Sequence, residues 1–125
     1  MNEAAKKAEL LLQALKYIKK FDGKIIVIKY GGNAMENAQL QESVFQDISM
    51  LSRLGLQIVV VHGGGPVIDA ELARRGIKKK TIHGLRVTDD ETLKVVVKTL
   101  KSVNKDCVEG LKKVGVRARD YTSGM

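Results

Sequence analysis

The 125-residue chain contains no tryptophan, one cysteine, one proline and only five rings in its aromatic complement of 3 Tyr and 2 Phe. A lone Cys107 cannot pair within the chain, which excludes a small scaffold stapled by disulfides and fits a reducing compartment. With so few rings to stack on bases, a nucleic-acid platform built on aromatic contacts is disfavoured. No apolar run reaches the roughly 18 residues of a membrane helix, because Lys29 interrupts the strongest run and Gln13 and Lys16 interrupt the N-terminal one. Glu9, Gln13 and Lys16 likewise break the only stretch that resembles the apolar core of a signal peptide, so the expected location is the cytoplasm.

Present instead are 12 glycines and a basic balance, 22 Lys+Arg against 14 Asp+Glu, for a formal charge of +8. Hydrophobic residues at 44% and charged residues at 29% are ordinary for one packed domain and argue against a disordered or fibrous chain. Most basic residues are scattered among acidic ones, but Arg74, Arg75, Lys78, Lys79 and Lys80 crowd one stretch. Such a run reads either as a solvated face or as a contact for a partner protein or nucleic acid.

The apolar positions 4, 8, 11, 15 and 18 have the seam spacing of an amphipathic helix from Ala4 to Lys20, closed by Asp22-Gly23. Leu10, Leu12 and Ala14 widen that face, so it must find something to cover. Lys24 to Tyr30 is a β-branched run of the kind buried on both faces of a parallel sheet, and it stops at Gly31-Gly32. A second helix follows from Gln39 to Leu54 with Gly55 as its C-cap glycine, and a second buried strand, Leu56 to Val61, breaks at His62-Gly63-Gly64-Gly65-Pro66. Strand, helix, strand with unbroken apolar strands implies a parallel α/β crossover unit. Further expectations are a short helix from Val67 to Arg75, a small hairpin within Lys78 to Val87, a capping box of Thr88 and Glu91 opening a long helix to about Lys113, and a strand from Val116 to Asp120.

Two glycine clusters each follow a strand, and in a parallel sheet those strand ends share one edge, where ligands bind. Backbone N–H groups at such turns approach a ligand closely, and the helix that follows adds partial positive charge, so phosphate is the natural guest. The dinucleotide fingerprint does not fit, since position 68 is Ile, and no glycine precedes Lys and then Ser or Thr as a P-loop requires. Lys29, two residues before the first glycine pair, reads as a cation placed over a transferring phosphoryl group. Arg86 is a guanidinium able to grip a carboxylate. His62, His83 and Cys107 lack the close spacing of metal ligands, so no protein metal site is expected.

Lys29-Tyr30-Gly31-Gly32-Asn33-Ala34-Met35, Val61-His62-Gly63-Gly64-Gly65-Pro66 and Gly84-Leu85-Arg86-Val87-Thr88-Asp89, in that order and spacing, resemble the acetylglutamate kinases of the amino-acid kinase family over roughly residues 5 to 115. The resemblance implies a three-layer α-β-α sandwich with a mainly parallel sheet, preceded by an N-terminal helix. It also implies transfer of the γ-phosphoryl group of ATP, with Mg2+ riding on the nucleotide, to the side-chain carboxylate of N-acetyl-L-glutamate in arginine biosynthesis. Carried over, it makes Lys29 the transition-state stabiliser and places Gly31 and Gly32 beside the transferring group. It sets Gly64 and Gly65 along the acetylglutamate site, with Arg86 on the substrate's α-carboxylate. An N-terminal helix over residues 1–22 resembles the extension that interlaces dimers into arginine-inhibited hexamers, leaving residues 23–125 as the acetylglutamate-binding lobe. Acetylglutamate kinases are more than twice as long and hold their nucleotide site, a substrate Asn, an organising Asp and a second phosphate-facing Lys in the C-terminal half. The expectation is therefore a truncated N-terminal lobe, inactive alone, whose residues 119–125 depart from the glycine-rich stretch of the family.

Overall fold

The computed structural model describes residues 2–122. The elements run α1 (Glu3–Phe21), β1 (Ile25–Tyr30), α2 (Asn33–Glu36), α3 (Ala38–Arg53), β2 (Gln57–His62), α4 (Gly65–Arg74), β3 (Thr81–Ile82), β4 (Leu85–Arg86) and α5 (Asp90–Lys113). The α/β class, the parallel strands and the preceding helix are as the sequence implies; α2 is a turn of helix that its periodicity does not announce.

Side-chain caps fix where the long helices start. Asn2 Oδ1 accepts from the Ala5 N–H at 2.8 Å, and Asn37 Oδ1 accepts from the N–H groups of Gln39 and Leu40 at 2.9 and 3.1 Å. At α5 the expected box of Thr88 and Glu91 is not the cap. Asp89, in extended backbone, takes the Thr92 N–H at 2.8 Å, because an ionised carboxylate is a stronger acceptor for a helix N-terminus than a hydroxyl. Bonds from the side chain and backbone of Thr92 hold the Asp89 carboxyl below the usual carboxylate range. Helix α4 begins two residues earlier than its apolar spacing suggests, with Pro66 in its first turn.

Strands β1 and β2 pair in parallel from Ile25 opposite Gln57 to Tyr30 opposite His62. One face of this pair carries Ile28, Tyr30, Ile58 and Val60 into a core with Met35, Ile48, Val103, Cys107 and Leu111 from α2, α3 and α5. The other face is open: Ile25, Val27, Val59 and Val61 are 65%, 64%, 46% and 52% exposed. The sequence expectation that both strands are buried on both faces is thus corrected. The helices of the described residues lie over one face only, and strand alternation leaves every second side chain bare. A second cluster, Ile68, Leu72 and Val95, joins α4 to α5.

Helices α3 and α5 come close at Gly110, where a Cβ would meet the Phe45 ring, with Phe45 Cδ2 at 2.8 Å. Phe45 in turn lies 5.7 Å, centroid to centroid, from the Tyr30 ring. Ser49 Oγ donates to the Val114 carbonyl at 2.8 Å, tying α3 to the end of α5. Burial pushes the Cys107 thiol up, so it stays protonated and inert.

The hairpin is shorter than expected, β3 and β4 being two residues each. His83 and Gly84 form its turn with φ of 50° and 77°, the type I′ sign pattern. Val116 to Asp120 forms no strand. Val116 and Ala118 pack on the core instead, and the Val116 N–H turns back to the Leu111 carbonyl at 3.0 Å, so this backbone does not join the edge of β2. Helix α1 buries no residue, and Leu10, Leu11, Leu12 and Leu15 are all more than half exposed. Among the described residues no helix is long and apolar enough to cross a membrane.

Two expectations follow from this packing. Gly110→Ala gains up to about 1 kcal/mol of helix propensity but drives a methyl into Phe45, a clash worth about 1–3 kcal/mol; urea unfolding should show net destabilisation, relieved when Phe45→Leu is added. Asp89, whose folded pKa is lowered, stabilises the fold above the unfolded carboxyl value of about 3.9, and that contribution is lost as pH falls through the folded value. Urea midpoints at pH 7 and pH 3 should therefore differ less in Asp89→Asn than in the parent chain, and an equal difference would show that the cap carries no charge-dependent stability.

Candidate functional site

Because β1 and β2 run parallel and in register, both glycine clusters emerge at one end of the pair. The ladder continues one step into the loops, with the Gly63 N–H donating to the Tyr30 carbonyl at 3.1 Å. Gly31 lies against this loop, close enough that a Cβ on it would sit 3.9 Å from the Gly63 nitrogen. Gly32, with φ 58° and ψ −138°, turns the chain into α2 through a conformation closed to side-chain-bearing residues. Gly64 is buried beneath Leu100 of α5, where a Cβ would come within 2.8 Å of Leu100 Cδ2, and it caps α4. Gly65 opens α4, and a Cβ there meets nothing within 4 Å. The first turn of α4 carries no acidic residue, so its positive end is uncompensated.

The triple-glycine loop is braced from α5. Asn104 Nδ2 donates to His62 Nε2 at 3.0 Å, and His62 Nδ1 donates to the Gly63 carbonyl at 2.9 Å. His62 thus braces a loop, and His83 is a turn residue. Among the described residues no group of three or more His, Cys, Asp or Glu side chains could hold a metal ion. Asn104, 42 positions from its partner, was missed by sequence reasoning; its only sequence trace is a polar residue beside the buried stripe of α5.

Lys29 stands opposite Val61 on the open sheet face, exposed, two residues before Gly31. It is the sole charged residue that β1 and β2 put on that face, and it forms no ion pair among the described residues. The burial cost that the apolar run suggested for Lys29 does not arise, because this side of the strand is bare.

Arg86, on β4, is brought to α4 rather than to Lys29. Its Nη2 donates to Asp69 Oδ1, while Lys79 Nζ reaches Asp69 Oδ2 at 2.9 Å. Asp69 lies four residues past Gly65, roughly 6 Å along the helix, so Arg86 comes within about one turn of the glycine loop. The Arg86 side chain is 20% exposed, and its Nη1 is buried without a hydrogen-bond partner among the described residues. The bonds from Arg86 and then Lys79 hold the Asp69 carboxyl below the ordinary range. Asp69 was also missed in the sequence, because its role is set by Arg86, 17 positions away.

The basic stretch is largely self-compensated. Arg74 and Arg75 both clamp Glu71, with Arg74 Nη2 at 2.7 Å and Arg75 Nε at 2.8 Å, and these bonds lower the Glu71 carboxyl to about 2.

An acetylglutamate kinase of Campylobacter jejuni is 46% identical over 118 residues, 94% of this chain and 42% of that protein. One from Heliobacterium modesticaldum is 50% identical over 119 residues, again 94% of this chain and 40% of the relative. The chain therefore spans about two fifths of the length of these curated relatives, and the similarity is to their N-terminal portion. The N-acetylglutamate synthase of Neisseria gonorrhoeae, solved with coenzyme A and N-acetyl-glutamate, superimposes with a TM-score of 0.70 at 28% identity, covering 93% of this chain and 26% of that one. Residues 24–124 match the amino acid kinase family, on through part of the tail expected to depart from it. The chain belongs to the amino acid kinase family.

Proposed function

We propose that this chain is the acetylglutamate-binding lobe of an N-acetyl-L-glutamate kinase acting in arginine biosynthesis in the cytoplasm. What carries the reading is the meeting of two glycine loops at one end of a parallel strand pair, with the half-satisfied guanidinium of Arg86 about one helical turn away. The naming of its curated relatives supports it.

In this reading a side-chain carboxylate oxygen of N-acetyl-L-glutamate attacks the γ-phosphorus of ATP. The new P–O bond forms as the bond to the β-phosphate oxygen breaks, and ADP leaves with Mg2+ as part of the nucleotide complex. No covalent enzyme intermediate is needed, so the protein supplies alignment and charge neutralisation. Arg86 Nη1 holds the α-carboxylate, and Gly64 and Gly65 line the substrate site under the positive end of α4. Gly31 and Gly32 adjoin the transferring phosphoryl group. Lys29, at the glycine end of the open face, neutralises charge on the equatorial oxygens as it grows. In this reading the donor nucleotide is held by the other half of the kinase, and this chain spans 42% of the length of the Campylobacter jejuni relative.

The rival reading, a basic module for nucleic acid or a partner protein, keeps the net charge of +8 as its support, but three of the five cations of the basic stretch, Arg74, Arg75 and Lys79, are paired with Glu71 and Asp69. The open leucine face of α1 suits a second copy of the chain, which makes residues 1–22 an oligomerisation helix joining subunits into a hexamer.

Three measurements test these assignments. The 125-residue chain alone should give no ATP-dependent acetylglutamate phosphorylation in a hydroxamate assay; turnover above background in protein free of host kinase would overturn its dependence on a second half. Fused to the remaining portion of the Campylobacter jejuni relative, Lys29→Ala should chiefly lower kcat, by roughly 2–4 kcal/mol of barrier. Arg86→Ala should chiefly raise the acetylglutamate KM, roughly 10- to 100-fold, and wild-type kinetics in both would remove them from the site. Deleting residues 1–20 from the same fusion should reduce a hexamer to a dimer by light scattering, and an unchanged subunit count would contradict the role given to α1.

A further inference from the structure

We propose that Asp69 is a positioning residue, holding the Arg86 guanidinium by Nη2 so that Nη1 is presented to the α-carboxylate of the substrate; the proposal rests on the functional reading above. A lone arginine on a two-residue strand has many rotamers, and fixing it in advance removes an ordering cost from ligand binding. Asp69 sits on a helix whose start is set by Gly64, Gly65 and Pro66, and whose apolar side, Ile68 and Leu72, is locked into the α4–α5 cluster. The carboxylate is therefore fixed relative to the glycine loop, and through it so is the guanidinium. Lys79, on the second oxygen, keeps Asp69 oriented and balances its charge. One face of the guanidinium is thereby occupied, while Nη1 is removed from water with no acceptor among the described residues. A buried donor left unpaired is costly, and an incoming carboxylate oxygen cancels that cost only if it arrives there.

Simple electrostatics and positioning make opposite forecasts. Removing the Asp69 charge makes the surroundings of Arg86 more positive and, on charge alone, strengthens binding of an anion. If Asp69 aims the guanidinium, its neutralisation weakens binding and, more tellingly, erases selectivity for the carboxylate.

The test uses the 125-residue chain with Asp69→Asn, Arg86→Ala and, as a charge-matched control on the same helix, Glu71→Gln. Without ligand, NMR of the Arg86 Nη2 protons should show an exchange-protected signal in the parent and in Glu71→Gln but not in Asp69→Asn; an unchanged signal in Asp69→Asn overturns the proposal. Each protein is then titrated with N-acetyl-L-glutamate and with its α-carboxamide analogue. The parent and Glu71→Gln should prefer the carboxylate about tenfold or more, and Asp69→Asn should lose that preference as fully as Arg86→Ala does. A general loosening of the fold weakens both ligands without changing their ratio. Preference retained in Asp69→Asn but lost in Arg86→Ala overturns the positioning role and leaves the functional reading standing. Preference retained in Arg86→Ala, or absent from the parent, overturns the functional reading and this proposal with it.

Discussion

Parallel, in-register pairing of Ile25–Tyr30 with Gln57–His62 is the constraint from which the site follows. Parallel strands must be joined by a crossover, so α2 and α3 are carried over one face of the sheet, and each strand delivers its following loop to the same end. The bond from Gly63 N–H to the Tyr30 carbonyl carries the register into the loops. A slip of one residue would turn Tyr30 out of the core, bring Lys29 inward and separate Gly31 from Gly63. Turn contacts at the opposite end hold the register too, since the Gly23 N–H donates to the Gly55 carbonyl and the Gln57 N–H to the Lys24 carbonyl, each at 3.1 Å.

The net charge of +8 already counts every carboxylate, and what the structure adds is which cations those carboxylates hold. Cations near α4 are consumed locally: Glu71 holds Arg74 and Arg75, and Asp69 holds Lys79 and one edge of Arg86. Exposed pairs of this kind add little stability, but they decide which positive groups remain for a ligand. The loop N–H groups, the start of α4, Lys29 and the free edge of Arg86 are what remain near the glycine end. This selection favours a compact dianion over a polyanionic backbone, whose binding needs many unpaired cations in a row.

Local signals made much of this legible in the sequence. Turn glycines, β-branched runs and three-to-four spacing located α1, β1, α3, β2 and α5 to within a residue or two, because each of these depends on short-range propensity. Features set by the rest of the fold were not legible. Nothing in KIIVIKY distinguishes a strand covered on both faces from one with a bare side, so the exposure of Ile25, Val27 and Lys29 had to come from the structure. The same holds for Val116 to Asp120, whose apolar alternation suits a strand but whose backbone turns onto the core. The glycines and Arg86 announced themselves by residue type next to strand ends. Asp69 and Asn104 did not, since each acts through a partner 17 or 42 positions away.

The central claim is that the glycine loops and Arg86 form one oxyanion site on this lobe. A titration of the isotopically labelled chain with N-acetyl-L-glutamate, followed through its backbone amides, tests it most directly. The account predicts saturable shifts concentrated at Gly31, Gly32, Gly63, Gly64, Gly65 and Arg86. Shifts absent at saturating ligand, or concentrated on α1 or on the outer face of α5 around Leu93 and Val97, would contradict it.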